Sequence, residues 1–97
     1  MTFEELIANN TTVLVDFYAE WCGPCQTMKP ILQDVKTVVG DTAKIVKVDV
    51  DKYREISGAY QIRSIPTLIL FKNGVPVWRH SGLASRADLL QILNKNK

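Results

Sequence analysis

Both cysteines of the chain lie within five consecutive residues, Trp21-Cys22-Gly23-Pro24-Cys25. The segment stands where an apolar strand pattern gives way to a helical pattern, and two residues separate the two thiols. A disulfide across so short a loop constrains little of the unfolded chain, so its contribution to stability would be modest. The spacing therefore predicts a reversible intramolecular disulfide that takes part in a reaction rather than stabilising the fold.

The position of the pair at a helix N-terminus favours a reactive thiolate. Unpaired backbone N–H groups and the positive end of the helix dipole lower the pKa of a thiol at the Cys22 position. Cys25, in the first turn, is placed to displace a product bound to Cys22. Pro24 suits a first helical turn, and Gly23 leaves room for another backbone to approach the sulfur.

Two other interpretations of the cysteines are weaker. A zinc site needs roughly four ligands, and besides the two cysteines the chain has one histidine, His80. Two inert buried thiols are the plainer alternative, since free cysteine packs as a small hydrophobe. We assign His80 no role, because a lone histidine on a strand is more often a surface or packing residue than a catalyst.

Composition limits the class of protein. The 97 residues, 46% hydrophobic and 23% charged, predict one globular domain over residues 1–97. The net charge of +2 is spread along the chain, which does not favour nucleic acid as a partner. No apolar run approaches the roughly 18 residues of a membrane span, and the acidic N-terminus lacks a basic region. We expect a soluble cytoplasmic protein without membrane partners, unless a leader was removed.

Hydrophobic periodicity predicts an α/β fold. The first part of the pattern predicts a right-handed βαβ unit. It consists of an apolar strand over Val13–Ala19 that is broken only by Asp16, a helix over Gly23–Val39 and a strand over Ile45–Val50. A capping box at Thr2-Phe3-Glu4-Glu5 predicts the start of a short first helix, and a further helix is expected around Tyr53–Tyr60. Two strands, Thr67–Phe71 and Val75–Ser81, are joined by a turn at Asn73-Gly74. A last helix is capped by Ser85. We expect a mixed sheet of about four strands with helices on both faces.

The order of these helices and strands, and several of the residues within them, resemble those of the thioredoxin family. The similar stretches are Val15-Asp16-Phe17-Tyr18-Ala19-Glu20-Trp21-Cys22-Gly23-Pro24-Cys25, Lys47-Val48-Asp49-Val50-Asp51, Ile62-Arg63-Ser64-Ile65-Pro66-Thr67 and Phe71-Lys72-Asn73-Gly74. The resemblance implies the thioredoxin fold, a three-layer α/β/α arrangement in which the usual first strand is missing. It also implies a protein-disulfide reductase, a general electron donor to oxidised proteins with no bound cofactor beyond the redox-active disulfide Cys22–Cys25.

The resemblance further implies the direction of the chemistry. Cys22 would be the exposed attacking thiol and Cys25 the buried resolving thiol. Asp16 is a lone carboxylate in an apolar strand, so we expect desolvation to raise its pKa. In similar proteins the matching aspartate lies beneath the resolving cysteine and assists its deprotonation, with the lysine matching Lys47 alongside. The alternative is a structural ion pair between Asp16 and Lys47.

The family pattern also points to a surface that docks substrates. The proline matching Pro66 is cis in similar proteins and leaves the backbone before it free to pair with an extended substrate. The resemblance implies a substrate-binding surface that comprises Trp21, Gly23, Pro24, Ile65, Pro66 and Gly82, with Val50 and Leu83 as further candidates. Ordinary core packing is the alternative for Trp21 and Ile65, and it is the expectation for Trp78 against the last helix.

One departure from the family concerns the sheet. Most thioredoxins begin with a strand before the first helix, whereas only Met1 precedes Thr2 here. The strand at Ile45–Val50 is therefore predicted to lie at an edge, where Lys44, Lys47 and Asp49 would discourage aggregation. We expect a shortened, less stable sheet in a monomer, or edge pairing into a dimer.

The resemblance names partners as well. The chain has no glycine-rich cofactor loop, so electrons would come from a flavin-dependent thioredoxin reductase that uses NADPH. Substrates would be proteins with disulfides. A second hypothesis is a binding module that uses the Trp21 and Ile65 surface without turning over disulfides.

Overall fold

A computed structural model describes residues 1–97 and contains every predicted element. The elements, in chain order, are α1 (Phe3–Asn9), β1 (Thr12–Tyr18), α2 (Gly23–Val39), a 3-10 turn (Gly40–Thr42), β2 (Lys44–Asp49), α3 (Arg54–Ala59), β3 (Thr67–Lys72), β4 (Val75–Ser81) and α4 (Arg86–Lys95). β1 and β2 each begin and end one residue earlier than predicted, and β3 ends one residue later. Differences of this size are usual at element ends.

The four strands form one mixed sheet in the order β2-β1-β3-β4. β1 runs parallel to β2 and antiparallel to β3, and β3 runs antiparallel to β4. The long helix α2 makes the crossover from β1 to β2, as a parallel pair requires. β2 lies at an edge, which confirms the prediction for this strand.

Hydrophobic clusters cover both faces of the sheet because strand residues alternate between faces. On one face, Leu14 and Leu68 pack with α2 and α4 residues such as Met28 and Leu89. The opposite face carries a cluster with α1 and α3 that includes Ile7, Val13, Val15, Phe17, Val48, Ile69 and Phe71. By this alternation Asp16 shares the face of Leu14 and therefore points toward α2.

Local sequence signals set the ends of the elements. The capping box forms at α1, where Thr2 and Glu5 exchange side-chain-to-backbone hydrogen bonds. The Ser85 hydroxyl accepts the backbone N–H of Asp88 and caps α4. Asn73 and Gly74 have φ values of 52° and 82°, the left-handed geometry that a tight hairpin between β3 and β4 needs.

No helix is both long enough and apolar enough to cross a membrane.

Candidate active site

The two cysteines form a disulfide at the N-terminus of α2. Cys22 is the N-cap residue, and its Sγ accepts the backbone N–H of Cys25 at 3.2 Å. The two Cα atoms are 5.2 Å apart, within the range that disulfides require. Pro24 occupies the first turn without costing a helical hydrogen bond. The structure thus places the pair as the sequence predicted, with Cys22 at the positive end of the helix dipole.

Both cysteines are largely covered by protein in this oxidised form. Cys25 is 1% exposed and Cys22 only 4%, so Cys22 is less exposed than the resemblance implied. Tyr18, Val50 and Ile65 pack against the cluster that the two cysteines form with Ala19. The carbonyl oxygen of Ile65 also lies 3.8 Å from Sγ of Cys22. Cys22 therefore lies beside the loop at Ile65, and Cys25 is the more deeply buried of the two cysteines.

Asp16 is a fully buried carboxylate to which no protein group donates a hydrogen bond. Its exposed fraction is 0%, and neither carboxylate oxygen receives a hydrogen bond from the protein. Burial raises the pKa of this carboxyl from 3.8 to about 6, and the charge of Lys47 opposes the rise. Asp16 lies on the sheet face that α2 covers, and the first turn of α2 carries Cys25. The predicted burial is confirmed, and it raises the pKa in the predicted direction.

Lys47 is a neighbour of Asp16 in the sheet but does not form an ion pair with it. The two residues are register partners across β1 and β2. Nζ of Lys47 lies over the ring of Tyr18, 4.8 Å from its centroid, in a cation–π contact. The structural ion pair considered from the sequence is therefore wrong. Lys47 affects Asp16 without direct contact, because its positive charge lowers the pKa of the Asp16 carboxyl.

The loop opposite the cysteines has the geometry that the resemblance implied. The Ile65–Pro66 peptide bond is cis. The carbonyl oxygen of Pro66 accepts the backbone N–H of Gly82 at 2.8 Å, which joins this loop to the end of β4. Thr67 donates its hydroxyl to the carbonyl oxygen of Ser64 at 2.6 Å and steadies the other side of the loop.

Trp21 dominates the surface beside the cysteines. Its side chain is 73% exposed, so core packing is the wrong interpretation for this residue, whereas Ile65 is half-buried. The indole N–H donates to the carboxylate of Asp51 at 2.8 Å and fixes the ring on the surface. Leu83 is 52% exposed. Sequence reasoning gave Asp51 no role, because its bond to Trp21 spans 30 residues of chain.

His80 and Trp78, two residues apart on β4, stack on each other. Their ring centroids are 5.7 Å apart and the rings are nearly parallel. Trp78 packs against the cluster that contains Leu89 and Leu93 of α4, as predicted. Nε2 of His80 lies 2.8 Å from the carbonyl oxygen of Leu83. No group of three or more histidine, cysteine, aspartate or glutamate side chains is placed to hold a metal ion.

The sequence of the chain matches a known protein family over almost its whole length. The thioredoxin family model matches residues 1–95. The chain belongs to the thioredoxin family. This membership confirms the resemblance found in the sequence, and similar solved structures confirm the thioredoxin fold. A mutant thioredoxin from Halobacterium salinarum superposes with a TM-score of 0.87 at 34% identity, covering 96% of this chain and 80% of that one.

Other thioredoxins are similar over most of the chain. A thioredoxin-like protein of Synechocystis sp. is 51% identical over 92 residues, which cover 94% of this chain and 88% of the relative. The chloroplastic thioredoxin Y of Oryza sativa is 50% identical over 91 residues, or 93% of this chain and 54% of the relative. The chain thus spans about half the length of this plant thioredoxin. Oxidized mitochondrial thioredoxin 3 of Saccharomyces cerevisiae has a TM-score of 0.87 at 33% identity, covering 96% of this chain and 86% of that one.

Proposed function

We propose that the protein is a thiol–disulfide oxidoreductase that reduces disulfides in other proteins. The observation that carries the proposal is the Cys22–Cys25 disulfide at the N-terminus of α2, with a fully buried Asp16 on the sheet face below. Membership of the thioredoxin family supports the same activity.

The reaction begins from the reduced dithiol form. The thiolate of Cys22 attacks one sulfur of a substrate disulfide, a mixed disulfide forms, and the other substrate sulfur leaves as a thiolate that takes up a proton. Cys25 then loses its proton and attacks the Cys22 sulfur. The second substrate thiolate leaves, and the protein ends with the Cys22–Cys25 disulfide. Two electrons and two protons pass to the substrate.

Asp16 is proposed as the proton acceptor for Cys25. A carboxyl with a pKa of about 6 is mostly ionised at neutral pH and still basic enough to accept a proton. No protein group donates a hydrogen bond to its oxygens, so no protein donor competes for this role. The positive charge of Lys47 keeps the pKa from rising further.

The docking surface is proposed to consist of residues around the sulfur atoms, most of which are exposed or half-exposed. Trp21 and Leu83 supply apolar area, and the backbone at Ile65 pairs with an extended substrate segment. Such main-chain pairing tolerates many substrate sequences. The remaining members of the surface are Gly23, Pro24, Val50, Gly82 and Pro66, of which Pro66 is buried.

Replacing Cys25 with serine tests the proposal. The variant should accumulate mixed disulfides between Cys22 and several cellular proteins, because the second displacement is lost. Non-reducing gels followed by mass spectrometry identify these adducts. The matched control, Cys22→Ser combined with Cys25→Ser, should trap none. Capture of no adduct by Cys25→Ser would overturn the reductase proposal.

A binding module without redox turnover is the second candidate, and the exposed Trp21 and Leu83 favour it. Such a module would keep its cellular role in the variant that lacks both cysteines, whereas a reductase would lose it.

The electron source and the compartment are also proposals. We infer a flavin-dependent thioredoxin reductase that uses NADPH, because the family is reduced in this way. We place the protein in the cytoplasm, a reducing compartment where a CxxC pair can be returned to its dithiol form. The relatives named chloroplastic make a plastid the alternative location.

A further inference from the structure

The outer edge of β2 presents main-chain groups that no other strand pairs with. β2 pairs with β1 alone. The N–H of Val50 donates to the carbonyl oxygen of Tyr18 at 2.9 Å, and alternate residues of a strand direct their main-chain groups to opposite sides. The N–H and C=O groups of Ile45 and Lys47 therefore face away from the sheet, together with the N–H of Asp49.

The other sheet edge, β4, is protected in a way that β2 is not. β4 contains Pro76, which has no N–H to donate, and its pairing with β3 shifts register between Leu70 and Phe71. β2 contains no proline and pairs with β1 in unbroken register over all six of its residues, Lys44–Asp49. Only β2 is therefore a regular template for another strand.

The surface beside the β2 edge is positively charged. A groove of about 220 Å³ lies between α2 and β2, and its lining consists of Lys29, Leu32, Gln33, Lys36, Ile45 and Lys47. No carboxylate lines this groove. Nζ of Lys36 donates to the carbonyl oxygens of Gly40 and Ala43. The groove is thus suited to acidic side chains.

Apolar area at the same edge is incompletely covered. Ile45 and Val46 are half-buried and lie on opposite faces of the sheet, against the α2 and α1 sides respectively. A strand added beside β2 would cover the open sides of both residues. Its side chains would alternate, with those on one face toward Lys29 and Lys47 and those on the other face toward Val46.

We propose that the β2 edge binds an extended acidic segment of a partner protein by strand addition. Main-chain hydrogen bonds to Ile45 and Lys47 supply the pairing, and carboxylates toward Lys29 and Lys47 supply the selectivity. A second copy of the chain fits less well, because the exposed charged residues of its β2 are Lys44 and Lys47, whereas its one carboxylate, Asp49, is buried. This surface is separate from the substrate surface around Trp21.

A synthetic peptide provides the test. The probe is a ten-residue peptide, blocked at both ends, in which glutamate and valine alternate, and the readout is amide hydrogen exchange of the oxidised protein by NMR. At saturating peptide, exchange at Ile45 and Lys47 should slow about tenfold or more. Exchange along β4 should not change. A lysine–valine peptide and a glutamate–valine peptide N-methylated at alternate residues should both fail to protect these amides.

Charge reversal on the protein provides the second measurement. Lys29→Glu should raise the dissociation constant for the acidic peptide by about tenfold. Lys95→Glu is the matched control, because Lys95 lines a groove beside β4 instead. Unchanged exchange at Ile45 and Lys47, or equal affinity for Lys29→Glu, would overturn the proposal. A dimer by sedimentation with these amides already protected would assign the edge to self-pairing and overturn it as well.

Discussion

Replacing Asp16 with asparagine is expected to increase the free energy of unfolding by about 3 kcal/mol near pH 8 and to change it little near pH 3.5. The Asp16 carboxyl has a pKa of about 6 in the folded wild-type protein, whereas the ordinary value for an aspartate, which we take for the unfolded chain, is 3.8. Because the folded pKa is the higher one, ionised Asp16 destabilises the fold above that pKa, and the penalty disappears as pH falls toward the reference value. Each pKa unit corresponds to about 1.4 kcal/mol.

Denaturant unfolding of the oxidised proteins between these pH values measures this effect. Asparagine is nearly isosteric with protonated aspartate, so the two curves should converge at low pH. Asp34→Asn is the control for loss of one negative charge, since Asp34 lies exposed on α2. A stability difference between Asp16→Asn and wild type that stayed constant with pH would show that the buried carboxylate carries no ionisation penalty.

The second large effect is expected on the release of the mixed disulfide. Asparagine cannot accept the proton of Cys25, and a positioned general base typically contributes about 10²-fold or more to a rate. Release from Asp16→Asn should therefore slow by about 100-fold near neutral pH. The initial attack by Cys22 should change much less, because the helix N-terminus assists that thiolate.

Stopped-flow mixing of the reduced protein with an equimolar aromatic disulfide that releases a coloured thiolate separates the two steps. Attack by Cys22 releases the first coloured thiolate, and attack by Cys25 releases the second. Only the second phase should slow in Asp16→Asn, and neither phase should slow in Asp34→Asn. Release at the wild-type rate from about pH 6 to pH 9 would remove Asp16 from the proton transfer.

Features with local causes were predictable from the sequence. The Thr2 and Ser85 caps, the Asn73-Gly74 turn and the position of Cys22 at the start of α2 all depend on residues within a few positions of each other. The burial of Asp16 followed from its place in an apolar run, because both faces of a central strand are covered.

Features that depend on contacts between distant segments were not predictable. The packing of Ile65 against the cysteine cluster and the bond from Trp21 to Asp51 both join separate loops. Lys47 could reach either Asp16 or Tyr18, and only the folded packing selects the ring of Tyr18. The cis bond before Pro66 was expected from the family resemblance, since the local sequence alone favours trans.

The N-cap role of Cys22 links the chemistry to the backbone of α2. The sulfur that exchanges partners also accepts the amide hydrogen of Cys25. Each redox step therefore changes the charge and bonding of the acceptor that this amide faces. The Cys25 amide is a built-in spectroscopic reporter, and its resonance would follow the oxidation state of the protein without any added label.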